Sequence, residues 1–387
     1  MGLIAKWLGQ MAIVAAAGLL LYVGFVIVNG TVSAVGASGN PHPDAANRTA
    51  AGRLFEQGKG VFRFDTFGDE AFWGGDLQLH RAIAGERLGG VGPGVSPRTA
   101  LAVGLKVDSQ ALPNSLRRAL AAGQVDLDDP ATTLALLRLN AVVGLKGFFN
   151  SEGTFSSVGI TCALCHSIVD DSFAPGIGRR LDGWPNRDLN VGTIVSLAPN
   201  KTPLTDLLGV DETTLNAVLA AWGPGKFDAE LFLDGKGFRP DGKTAAVLIP
   251  PAFGLAGVNL HTYTGWGSVP YWNAFVANLA MHGKGTFFDP RLNDPAKFPI
   301  AAAAGFANVR NKPDLITPKL AALHVYQLAL EAPRPPNASF DVIRSRLLRT
   351  WAKPARAATG NCFALLSRSS SKFPIPCISR LATNAFQ

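Results

Sequence analysis

Cys162-Ala163-Leu164-Cys165-His166 is the stretch of this chain whose residue types and spacing carry chemistry. Two thiols three positions apart are about one helical turn apart, and an imidazole follows at once. Thiols so placed can add to the two vinyl groups of a haem, each giving a thioether, while the histidine ligates the iron from below. C-x-x-C-H is the attachment signature of a c-type haem. The chain holds only four Cys and six His, so this order is not a product of abundance. A thioredoxin-like dithiol requires a βαβ context, and no strand–helix–strand alternation is expected around residues 150–175. A structural zinc site requires a second close pair of ligands, whereas Cys362 and Cys377 stand far away and apart. Two inert cysteines beside an incidental histidine are the remaining alternative.

An electron-transfer haem usually takes a second strong axial ligand, Met or His. Beyond the N-terminal segment Met281 is the only methionine. It follows a short apolar run and adjoins the aromatic group His261, Tyr263, Trp266, Tyr271 and Trp272. Met281 is the expected distal ligand, with His282 or His261 as alternatives, an open position as a third, and core packing as its ordinary role. His80, in the aromatic stretch Arg53–Ile83, is expected to be structural. Arg179, Arg180, Trp184 and Arg187 form either a propionate-binding loop or an exposed basic one.

The elements that position these residues are expected to be helical. Asp129-Pro130 reads as an N-cap with proline at the first position, starting a helix that carries Leu134, Leu137, Ala141 and Leu145 and ends near Gly147. Asp211 caps another, with Leu215, Val218, Leu219 and Trp222 on one face. Thr317-Pro318 opens a third, with Leu320, Leu323, Gln327 and Leu330 in line and His324 among them. Gly89–Gly94 lacks the preceding strand of a phosphate loop and reads as an ordinary turn-rich loop. The fold expected is mainly α, a cytochrome c-like haem domain with long loops. The 42 Gly and 26 Pro support the loops, because a haem supplies apolar core that the chain then need not.

The address is read from the N-terminus. Lys6 precedes an uncharged run from Met11 to Val28, 18 residues, just enough to span a bilayer. Val32/Ala34 and Val35/Ala37 are small-residue cleavage sites, so residues 1–37 are a signal peptide or membrane anchor. Either way the chain is exported, as covalent haem requires, and the expected compartment is the periplasm, with anchoring to the inner membrane by the N-terminal helix. The net charge of +8 is local: no acidic residue follows Asp341, and residues 342–387 hold eight basic ones, so the rest is formally neutral. The composition therefore does not suggest a nucleic-acid partner. The partner expected is a redox protein or a membrane electron-transfer chain.

The chain resembles the larger bacterial c-type cytochromes related to the di-haem cytochrome c peroxidases. The resemblance rests on Cys162–His166, the exported N-terminus, and the helix ending Tyr326-Gln327-Leu328-Ala329-Leu330 before Ala332-Pro333-Arg334-Pro335-Pro336, and it spans roughly residues 50–340. It implies a second domain after the linker, with its own C-x-x-C-H and a distal methionine. Here Cys362 is followed by Leu365 and Leu366 where Cys and His are implied, and no His follows His324. The expectation is one covalent haem c, in a haem domain over 38–332. Residues 333–387 are then a linker and basic tail, either a remnant of a second haem domain or a segment that docks on anionic lipid or an acidic partner. Electron transfer is the expected function. A peroxidase-like haem oxidoreductase is the alternative.

Overall fold

The computed structural model describes residues 43–262 and 265–333. The apolar run Met11–Val28, Tyr263, the linker from Arg334 and the basic tail lie outside the described residues. The chain divides into two units, Met1–Glu331 and Ala332–Gln387. No described helix is long and apolar enough to cross a membrane.

The fold is mixed rather than mainly α: helix is 45% and strand 13%. Every sheet among the described residues has two strands. Such ribbons cannot form a layered core, so the apolar interior lies between helices and loops. The long helix α1 (Pro43–Phe64) packs on the last described helix, α6 (Leu320–Ala329). Gly58 makes the crossing close: an added Cβ would overlap the Ala322 carbonyl. Phe62, Leu323 and Tyr326 fill the space beside it, with Phe62 and Tyr326 ring centroids 5.5 Å apart. Gly58→Ala should therefore cost about 2 kcal/mol, as overpacking against a backbone that cannot rotate away. Gly60, on the same helix with open space at its Cβ, should gain up to about 1 kcal/mol as alanine from helix propensity. Urea denaturation of the two variants checks the opposite signs.

Asp129 caps α2 (Pro130–Arg138), its carboxylate accepting from Ala131 N at 3.0 Å. The helix stops sooner than its apolar spacing suggests. Asn140 is left-handed at φ 52, and Leu145 begins a strand, β1 (Leu145–Phe149), paired antiparallel with β2 (Phe155–Ile160). Asp211 caps α4 (Glu212–Trp222), accepting from Thr214 N at 2.6 Å, and Leu215, Val218, Leu219 and Trp222 are all buried.

The C-x-x-C-H turn is α3 (Ala163–His166), between β2 and β3 (Ser167–Val169). A strand–helix–strand run is thus present where none was expected. It is not a βαβ unit: β2 pairs with β1, and β3 pairs antiparallel with β4 (Arg180–Asp182). The two flanking strands belong to different ribbons, so the dithiol lacks the parallel-sheet frame of a thioredoxin-like site.

Asp228 precedes the turn α5 (Leu231–Asp234) and accepts from Glu230 N and Leu231 N, both at 3.1 Å. Burial pushes its carboxyl up to about 6. The folded chain then holds a proton that the unfolded chain has released, so this group's contribution to stability falls as pH rises from about 4 to about 6. Asp228→Asn keeps an acceptor and removes the titration. The wild-type minus variant difference in denaturation midpoint, followed over that window, should show the slope.

Candidate haem-attachment site

The attachment turn is pinned on every side. Thr161 N donates to Gly144 O at 2.9 Å and Thr161 Oγ1 to Arg63 O at 3.2 Å, which ties its start to α1. Gly144 has φ 83, and a side chain there would overlap the Leu164 backbone. Asn186 N donates to Cys165 O at 2.9 Å and Gly183 N to His166 O at 2.8 Å, which ties its end to the loop after β4.

The thiols of Cys162 and Cys165 are both free. His166 Nδ1 lies 3.1 Å from Pro250 O. A carbonyl only accepts, so Nδ1 carries the proton and Nε2 keeps its lone pair for a metal. Pro250 is held there by Ile249 N donating to Gly225 O at 2.9 Å and Ala252 N to Gly183 O at 2.7 Å.

Cys162, Cys165 and His166 each remain partly accessible. Yet burial pushes both thiols up to about 12 and the imidazole down to about 4. Raised thiols differ from a redox dithiol, whose reactive cysteine is activated by a lowered pKa. These residues fit a covalently attached haem: free sulfurs one turn apart and an oriented imidazole.

Beneath the turn lies a buried charge cluster that sequence reasoning missed. Asp182 accepts from Arg63 Nε at 2.5 Å, Ser167 Oγ at 2.8 Å and Tyr326 Oη at 2.5 Å. Arg180 is buried with Nε and Nη1 unbonded, 3.9 Å from the carboxylates of both Asp182 and Asp108. Of the basic loop, then, Arg180 is interior, Arg179 pairs with Asp170 at 2.7 Å on the surface, and Arg187 is exposed. Trp184 packs against Phe253 with ring centroids 5.6 Å apart.

Met281 is 3% exposed, in one apolar cluster with Ala163 and Cys162. The next residue, His282, is partly accessible, and its ring stacks on Phe72 at 3.7 Å. His80 packs edge-on against Phe155 at 6.0 Å. His261 and His324 are close enough to interact electrostatically. Trp266 and Tyr271 gather on Asp289, donating at 3.2 and 2.6 Å, with Arg291 completing the knot. The acidic positions between the aromatics of Arg53–Ile83 hid a further site residue. Asp69 is 0% exposed, accepts from Ile160 N at 3.2 Å through Oδ1, and leaves Oδ2 unbonded.

No family model, curated protein or solved structure matches the chain.

Proposed function

We propose that this chain is a mono-haem c-type cytochrome that transfers electrons, built as a cytochrome c-like haem domain and working in the periplasm. The observation that carries the reading is His166: its Nδ1 is committed to the Pro250 carbonyl, and its Nε2 is free at the end of a C-x-x-C-H turn. Haem, when bound, supplies a one-electron store. The chain's own residues do the rest. Cys162 and Cys165 would hold the haem through thioethers formed by adding their S–H groups across its vinyl groups. His166 would ligate the iron through Nε2, and the Pro250 carbonyl orients the imidazole and raises its basicity. Partners are a redox protein or a membrane electron-transfer chain, with the N-terminal segment as the membrane attachment. The test is denaturing electrophoresis with haem-linked peroxidase staining, together with intact mass of the exported chain. One haem mass added per chain supports the reading, and an unmodified chain excludes it.

Asp69 favours a second reading, a peroxidase-like oxidoreductase. Burial holds this carboxyl well above the usual carboxylate range, and its Oδ2 has no hydrogen-bond partner. A protonated carboxyl beside the attachment turn suits proton delivery to a bound peroxide. Peroxide-dependent oxidation of a reduced dye, lost in Asp69→Asn, would favour it.

A further inference from the structure

Four large apolar side chains stand open to solvent in one short segment. Val247, Leu248, Val258 and Leu260 are 63, 55, 52 and 57% exposed, and Phe288 is the only other described large apolar residue beyond half. The segment is also uncharged: no Asp, Glu, Lys or Arg stands between Lys243 and Lys284. Exposed apolar surface gathered in this way marks a place that something else covers.

The segment is tied down rather than loose. Ile249 and Ala252 are buried. Val247 and Leu248 pair with Phe227 and Lys226. Gly254 N donates to Leu330 O at 2.7 Å, and His261 N to Gly267 O at 2.8 Å. The backbone is held while the four side chains stay exposed.

Its place on the fold follows from the helix pair. α1 and α6 run antiparallel: Asp65 meets Lys319 at 2.7 Å, Gly58 meets Ala322, and Phe55 meets Tyr326 with ring centroids 5.2 Å apart. The end of α6 therefore lies toward the start of α1. Leu330, just past α6, is the residue that holds Gly254. The exposed segment and the start of α1 thus share one end of the pair. Arg48 and Arg53 are exposed on the first half of α1, where Asp44 is the one acidic residue.

Fourteen residues, 29–42, separate the apolar run Met11–Val28 from Pro43. They reach at most about 50 Å. A chain anchored by that run is held through Pro43, so this end of the helix pair is the one drawn toward lipid. The chemistry agrees. Leu and Val are under-represented among the residues that dominate protein interfaces. Uncharged aliphatic side chains suit the boundary between headgroups and acyl chains, and arginines beside them are attracted to anionic headgroups.

Resting on the reading of residues 1–37 as a membrane anchor, we infer that segment 244–260 docks on an anionic lipid bilayer, with Val247, Leu248, Val258 and Leu260 entering the headgroup–acyl boundary. Pro250, whose carbonyl meets His166 Nδ1, lies in the same segment, so docking presents the C-x-x-C-H turn on the membrane side.

The test uses the full exported chain in vesicles of phosphatidylcholine and phosphatidylglycerol, doped with a phospholipid that carries a photoactivatable diazirine on its acyl chain. Peptide mapping after illumination should find label in residues 11–28 and in 244–260. Val258→Asp combined with Leu260→Asp, both at exposed positions, should lose the second label and keep the first, with an unchanged circular dichroism spectrum. Label confined to 11–28 in the wild type overturns the inference and leaves a protein as what covers the segment. So does label on 244–260 that persists in the double variant. A chain whose intact mass shows cleavage before residue 38, and which leaves the vesicles, fails the anchor reading and takes the inference with it.

Discussion

Replacing Cys162 and Cys165 together by alanine is expected to abolish covalent haem, leaving a chain whose mass carries no haem and whose pigment extracts fully into acidified organic solvent. On the proposed reading each thiol forms one of two thioethers. Either single variant should therefore keep one bond, and its pyridine haemochrome band should move toward that of a haem with one remaining vinyl group. The effect is large because no other residue can stand in: among the described residues these are the only cysteines, and both are free. His166→Ala should keep one or both thioethers but lose the proximal ligand, so covalent haem and its spin state separate in that variant. Stability should follow. A bound group present in the native state alone stabilises the native state. The haem-free double variant should unfold at lower denaturant than the wild type. Full retention of haem mass in the double variant would contradict the attachment assigned to these thiols.

Asp182→Asn should destabilise the fold by about 3–5 kcal/mol, the usual cost of removing one partner from a buried ion pair. Asp182 receives hydrogen bonds from α1 through Arg63, from β3 through Ser167, and from α6 through Tyr326. Removing its charge strands the Arg63 and Arg180 guanidiniums, with Asp108 as the remaining carboxylate near Arg180. The Arg180 side chain is only 1% exposed, so water cannot compensate it. Burial and Asp182 also push the Tyr326 phenol up, so it stays a neutral donor. Tyr326→Phe removes one hydrogen bond and should cost about 1 kcal/mol. Chemical denaturation measures both, and a double-mutant cycle gives the Arg63–Asp182 coupling. A change under about 0.5 kcal/mol in Asp182→Asn, the size of an ordinary surface substitution, would show that the cluster does not hold these elements together.

The C-x-x-C-H motif was legible because it is local: five consecutive residues set two thiols and an imidazole at fixed spacing, and the structure keeps them on one turn. The caps at Asp129 and Asp211 were legible for the same reason, since a side chain bonding two or three positions ahead leaves a sequence mark. Leu145 was misread because apolar residues at helical spacing continue past the point where Asn140 turns left-handed. Val142 and Val143 are β-branched and fit the extended chain that follows. Short apolar runs of this kind do not distinguish strand from helix. The rest was illegible because it is long-range. His166 finds Pro250 across 84 residues, and Tyr326 finds Asp182 across 144. Nothing at Gly58 announces that Ala322 lies against it. Met281 stood out because methionine is scarce, while the rings that pack on the adjacent His282, Phe72 and Trp73, lie more than two hundred positions upstream.

The most direct measurement is pyridine-haemochrome quantitation of the full chain, exported from a host that attaches c-type haem, against protein concentration from amino-acid analysis. One covalent haem c per chain is the expected result. A chain purified without covalent haem would contradict the central claim, whatever its fold.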